Sequence, residues 1–156
     1  MSLGNNLRCR GFEVVSDEFR KHPEIDIQLP KRGDSRSAGY DFYAPCDLEI
    51  YPNEKILVFS DVKAYMQEDE VLLLYVRSSL GIKCGVVLSN GTGVIDSSYY
   101  NNPSNNGNIG IALHPTVYVP LESSEAIHRV SALEKPFPLS LSLKDLVQST
   151  EVSKFS

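Results

Sequence analysis

From Tyr40 onward, short apolar runs alternate with turn residues. Runs at 40–43, 48–50, 55–59, 71–76, 86–88, 93–95 and 109–113 are rich in β-branched and aromatic side chains. Each predicts a strand, because none is long enough for a buried helix. Between them sit breakers: Pro45, Pro52-Asn53, Gly81, Asn90-Gly91 and the stretch 101–107, which is polar and long enough to predict an exposed loop. Upstream, residues 11–29 have weak periodicity and stop at Pro30, which predicts a first strand followed by a mobile loop over 31–37. Residues 61–70 and 144–147 can each hold a helical turn, but no long amphipathic helix and no internal repeat appears.

Regularly spaced short strands predict an all-β sandwich or barrel, and 156 residues fit one domain. Residues 1–10 read as a leader or disordered segment and 11–113 as the β core. Beyond Leu113 the texture changes. Ser, Leu and Pro dominate, as in P-L-E-S-S-E at 120–125 and K-P-F-P-L-S-L-S-L at 135–143, so 114–156 reads as an atypical C-terminal continuation of the same domain, with its order left open.

A net charge of -5 with scattered signs argues against a nucleic-acid surface, which needs clustered Lys and Arg. Phosphate chemistry here would concern a small molecule. The three cysteines, Cys9, Cys46 and Cys84, are widely spaced and odd in number, which argues against a disulfide scaffold and for a reducing cytoplasm. No run approaches the roughly 20 apolar residues of a membrane span, so no membrane partner is expected.

Three segments carry candidate chemistry. In Ala38-Gly39-Tyr40-Asp41 a carboxylate enters a strand just after a loop, where it can serve a hard cation such as Mg²⁺. A turn aspartate is the plainer alternative. In Val76-Arg77-Ser78-Ser79-Leu80-Gly81 a guanidinium, two hydroxyls and free amides gather at a strand end, a grouping suited to phosphate oxygens. A Ser-Ser helix cap beside an unrelated arginine reads equally well.

The run 90–99, N-G-T-G-V-I-D-S-S-Y, is the most informative. Asn90-Gly91 is a strong hairpin signal, and a hairpin tip offers main-chain groups able to read the edge of a base. Asp96 ends an apolar strand as a carboxylate that can hold a water for attack, and Tyr99 can stack on a sugar or simply pack. His22, His114 and His128 lack metal-ligand spacing and receive no role.

In order and spacing, A-G-Y-D-F-Y-A, R-S-S-L-G and N-G-T-G-V-I-D-S-S-Y resemble the first three motifs of the trimeric dUTPase family, over about residues 11–113. The resemblance implies a distorted jelly-roll β-barrel, a homotrimer with active sites between subunits, and Mg²⁺-assisted hydrolysis of dUTP to dUMP and pyrophosphate. Asp96 resembles the residue that orients the attacking water on the α-phosphate, and Asp41 the aspartate that positions the metal through water. Arg77, Ser78 and Ser79 match the phosphate-binding segment. Asn90 falls where the family reads uracil, Gly93 and Ile95 lie in the same nucleotide-binding run, and Tyr99 matches the ring under deoxyribose that leaves no room for a 2′-hydroxyl.

The chain departs from the pattern in three places. Ser98 stands where the family's third motif has a second acid, and Tyr100-Asn101-Asn102-Pro103-Ser104-Asn105-Asn106 lengthens the following loop. The fourth motif is faint, whether aligned at 128–132 or at 124–127. The glycines and arginine of the fifth are missing from 150–156. A shifted reading frame late in the gene, or a divergent phage-like member, would each explain that tail, and either predicts impaired activity. Two other readings stay open: a dCTP deaminase-like enzyme, and a non-catalytic nucleotide-sensing or regulatory protein.

Overall fold

The computed structural model describes residues 9–116 and 147–153. Among them the architecture is all-β, with nine strands: β1 Gly11–Val14, β2 Gly39–Phe42, β3 Ile56–Phe59, β4 Val62–Tyr65, β5 Glu70–Tyr75, β6 Val86–Leu88, β7 Gly93–Asp96, β8 Gly110–Pro115 and β9 Val147–Ser153. They form a four-stranded sheet in the order β2-β9-β5-β7, a three-stranded sheet β3-β8-β6 and a two-stranded ribbon β1-β4. Every strand pair is antiparallel.

Alternation explains the layering. Along β5, Leu72 and Leu74 are 1% exposed while Tyr75 is 42% exposed, and in β8 Ile111 and Leu113 point inward. One face of each sheet is therefore buried. Phe42, Leu72 and Leu74 from the larger sheet join Val58, Val86, Leu88, Ile111 and Leu113 from the smaller in a single core. Phe12 of β1 closes one side, edge-on to Tyr40 and Phe42 at 5.2 and 5.4 Å.

Five expectations need correction. The helical turn read into 61–70 is strand β4, paired with β1 from Gly11↔Tyr65 to Val14↔Val62. Both of its faces are covered, since Lys63, on the face opposite Val62 and Ala64, is itself only 8% exposed. The run 48–50 forms no strand; Leu48 makes one isolated bridge, and Leu48 and Ile50 are buried as loop residues. Asn90-Gly91 does not close a hairpin, since β6 pairs with β8 and β7 with β5. It turns a corner between sheets, closed by the Gly91 N–H donating to the Leu88 carbonyl at 3.0 Å. The polar loop over 101–107 is exposed at 101, 103 and 104 but half-buried at 102, 105 and 106 and buried at Gly107, and Asn108 just after it is fully buried. Finally, Val147 is the first residue of a strand, not part of a helical turn.

That last strand matters most for topology. β9 lies between β2 and β5, so a segment from the atypical C-terminal stretch supplies an inner strand of the larger sheet. Both alignments of the fourth motif, at 124–127 and 128–132, and most of 114–156 lie outside the described residues, as do 1–8 and 154–156. The three cysteines are free thiols. Among the described residues no helix is long and apolar enough to cross a membrane.

Candidate active site

Asp41 sits on β2 with its amide bonded to the Lys31 carbonyl at 2.9 Å, which folds the 31–37 loop back over the strand. Arg77 leaves the end of β5 two residues beyond Tyr75. The two strands are held in register through β9, Asp41↔Gln148↔Tyr75, and this brings the Arg77 guanidinium to 3.6 Å from Asp41 Oδ2. The other carboxylate oxygen, Oδ1, is buried with no hydrogen-bond partner. A desolvated carboxylate oxygen facing no donor is an incomplete arrangement, and a hydrated cation would complete it.

After Arg77 the chain enters a short helical segment, Ser79–Lys83, whose Gly81 N–H bonds the Arg77 carbonyl at 3.0 Å. Ser78 occupies the cap position but makes no side-chain cap bond, so the capping alternative is not used. Ser78 is exposed and Ser79 half-buried beside the arginine.

The segment 90–99 runs along the far edge of the same sheet. Asn90 is exposed in the corner turn, and β7 follows with Gly93↔Leu74 through Asp96↔Val71. Gly93 is required by packing, because a β-carbon there would lie 2.9 Å from the Leu74 Cβ. The Ile95 side chain packs against the core, which leaves only its main chain for a ligand. Asp96 is exposed at the strand end and precedes a 3-10 turn, Ser97–Tyr99.

Residues opposite one another in register share a face. Asp41, Tyr75, Leu73, Val71, Val94 and Asp96 therefore line the outward face of the larger sheet. Asp41 and Asp96 occupy diagonal corners of that face. Three strand spacings separate them laterally, about 14 Å, and four residues along the strand add about 13 Å, so the corners are roughly 20 Å apart. The chain thus brings Asp41 and Arg77 together and keeps Asp96 and Tyr99 away from them.

Beside Asp96, the asparagine-rich loop forms a continuous network. The Tyr99 hydroxyl accepts from Asn105 Nδ2 at 2.7 Å and donates to the Asn108 carbonyl at 3.1 Å. Asn102 Nδ2 donates to the Tyr99 carbonyl at 2.8 Å and to Asn105 Oδ1 at 2.7 Å. The far side is tied to β4, where Lys63 Nζ donates to Asn101 Oδ1 at 2.6 Å and to Asn106 Oδ1 at 3.0 Å, and lies over the Tyr100 ring. Tyr100 in turn donates to Glu13 at 2.6 Å.

Sequence reasoning missed Asp61 and the partner it finds in His22. Asp61 is wholly buried at φ 56°, receiving the Lys21 amide at 2.8 Å, the His22 amide at 2.7 Å and Asn108 Nδ2 at 2.8 Å, with His22 Nδ1 3.2 Å away. Burial pushes its pKa up, but the Lys21 amide, the Asn108 side chain, the His22 amide and the His22 charge outweigh it and hold the carboxyl below its ordinary 3.8. The sequence carried no signal for it, since the left-handed conformation, which Asp tolerates better than most residues, is set by the fold.

A single carboxylate at the Asp41 corner fits magnesium, which keeps several waters and takes one or two protein oxygens together with substrate phosphates. Among the described residues there is no group of three His, Cys, Asp or Glu that could cage a metal by itself. A cavity of about 220 Å³ between 25–28, 43–45 and Ser60 contains none of the candidate residues.

Known proteins resemble the chain in sequence and in fold. The chain is 47% identical over 103 residues to the deoxyuridine 5'-triphosphate nucleotidohydrolase of Lactococcus lactis subsp. lactis (strain IL1403), covering 66% of each chain. It is 34% identical to the mouse (Mus musculus) protein of the same name over 112 residues, 72% of this chain and 64% of that one. The chain thus spans just under two thirds of the length of these curated relatives. Its fold matches the crystal structure of dUTPase from Streptococcus mutans with a TM-score of 0.70 and 33% identity, over 94% of this chain and 97% of that one. The dUTPase from phage phi11 of S. aureus shares the fold at 20% identity, with a TM-score of 0.66 over 94% and 91% of the two chains. The dUTPase family model matches residues 26–113, more than half of the 156, and the chain belongs to the dUTPase family.

Proposed function

We propose that the chain hydrolyses dUTP to dUMP and pyrophosphate at a site shared between copies in a homotrimer. The observation that carries this reading is the separation of the two half-sites. Arg77 and Asp41 meet at one corner, read here as the one that takes phosphate and cation, whereas Asp96, with Tyr99 just beyond it, stands roughly 20 Å away on the same outward face, read as the corner that takes water and sugar. A water held by Asp96 must lie within about 3.5 Å of the phosphorus it attacks, so one copy cannot use both corners on one substrate. A second copy, related by a cyclic rotation, can set its Asp96 corner against the first copy's Asp41 corner.

In this reading the Asn90 turn contacts uracil through main-chain groups, Gly93 and the Ile95 main chain admit the nucleoside, and the Tyr99 ring lies under deoxyribose. Arg77, Ser78 and Ser79 take phosphate oxygens. Asp96 orients a water for in-line attack on the α-phosphate, and no covalent intermediate is needed. Asp41 would hold Mg²⁺ through water, with its orphaned Oδ1 as acceptor. Bound magnesium would neutralise triphosphate charge. Positioning and electrostatics then supply most of the acceleration.

Subunit mixing tests the shared site. Asp41→Asn and Asp96→Asn are each expected to lower kcat by about 10² to 10⁴. Unfolded together and refolded, they should recover about a quarter of wild-type activity, because some interfaces join an intact Asp41 corner to an intact Asp96 corner. Recovery of nothing would refute the shared site. Pyrophosphate release from dUTP but not from dCTP, dTTP or UTP is the expected substrate pattern, and ammonia from dCTP would instead identify a deaminase.

A further inference from the structure

We infer that Asn105 is a positioning residue for Tyr99, fixing the ring so that it discriminates deoxyribose from ribose. The inference rests on the reading of Tyr99 as the surface under the sugar and adds what holds that surface still. Tyr99, at the end of a three-residue 3-10 turn, is partly buried and packs against the hydrophobic core, and apolar contact of that kind limits the tilt of the ring without fixing its hydroxyl end.

Here the ring is gripped at both ends. Asn105 Nδ2 donates to the phenolic oxygen at 2.7 Å, and that hydroxyl donates onward to the Asn108 carbonyl at 3.1 Å. At the main chain, Asn102 Nδ2 donates to the Tyr99 carbonyl at 2.8 Å. Asn105 is itself fixed, because its Oδ1 accepts from Asn102 Nδ2 at 2.7 Å and from the Gly107 amide at 3.0 Å. Gly107, at φ 81°, lets the loop close on the tyrosine: a β-carbon there would lie 2.9 Å from the Tyr99 carbonyl oxygen.

The loop does not move as a free flap. Asn106 Oδ1 accepts from the Ser16 amide and hydroxyl at 2.9 and 2.8 Å and from Lys63, so the clamp is anchored on two other elements. A ring fixed in this way excludes a 2′-hydroxyl by position. A ring free to tilt by even a fraction of an ångström would admit it.

The test is a double-mutant cycle on sugar preference, read as the ratio of dissociation constants for the α,β-imido analogues of UTP and dUTP in calorimetry with Mg²⁺. Asn105→Ala is expected to lower the preference for the deoxy analogue about tenfold, mainly by tightening the ribo analogue. Tyr99→Phe, which keeps the ring and removes the gripped oxygen, should lower it similarly. In the Tyr99→Phe background, Asn105→Ala should add much less to the loss than it does in wild type, because the bond to the tyrosine hydroxyl is already gone and only the loop bonds to Asn102, Gly107 and Asn108 remain to be broken. A merely structural role for Asn105 predicts the same loss in both backgrounds, and that result overturns the inference. If Asn105→Ala does not fold, an unchanged preference in Tyr99→Phe overturns it as well. Wild-type protein that binds both analogues equally would instead sink the reading of Tyr99 as the sugar surface.

Discussion

Asp61 concentrates more buried polar bonding than any candidate catalytic residue, and its chemistry predicts how the protein responds to acid. Its folded pKa is depressed, so its stabilising contribution is present above the ordinary carboxylate value of 3.8 and is lost as pH falls through the lower folded value. Stability measured by urea unfolding should therefore be flat in this term at neutral pH and fall below about pH 4. Asp61→Ala leaves the Lys21 and His22 amides and the Asn108 side chain without an acceptor, and is expected to cost about 3 kcal/mol in the same assay at pH 7. An Asp61→Ala protein whose stability no longer falls below pH 4 would assign the acid response to this carboxylate. Neither His22 nor Asp61 was marked by sequence spacing, because their 39-residue separation closes only through the fold.

The asparagine loop and β4 form a unit that hydropathy misread twice. Residues 61–70, which include Lys63, read as a helical turn, and 101–107 as an exposed loop. Each ties down the other: the asparagine oxygens satisfy the ammonium, and the ammonium anchors the loop while 101, 103 and 104 stay exposed. Lys63→Met should keep β4 paired with β1 yet leave the Asn101 and Asn106 oxygens without their cation. Amide hydrogen exchange is then expected to speed up over 101–108 and to stay slow in β5. Gly107→Ala acts on the same loop by forcing a side chain into the left-handed region against the Tyr99 carbonyl, and should cost about 2 kcal/mol in thermal or urea unfolding.

Across the molecule, the outward face of the larger sheet carries both candidate corners of the proposed site. Between its two candidate corners, at Asp41 and Asp96, lie Leu73 and Val94, and Val94 is 58% exposed in one chain. Apolar side chains on a sheet face between two half-sites are the surface that a second copy would cover. Val94→Lys places a charge there without touching the core. On the proposed reading of a trimer that hydrolyses dUTP, it is expected to shift sedimentation toward monomer at micromolar concentration and to lower turnover by at least tenfold, with the far-UV circular dichroism unchanged. A charged variant that stays trimeric and active would exclude this face from the subunit contact.

Local pattern was enough for the all-β class, for strands such as β5 and β8, and for the three segments that resemble dUTPase motifs, since period-two alternation and turn chemistry act over a few neighbouring residues. It could not reveal that Asn90-Gly91 links two sheets, that a C-terminal strand lies between β2 and β5, or that Asp41 meets Arg77 while Asp96 stands at the opposite corner. Those relations depend on which distant strands pair and in what register. Pairing of that kind is fixed by burial across the whole core, a sum over contacts that no short window of the chain contains.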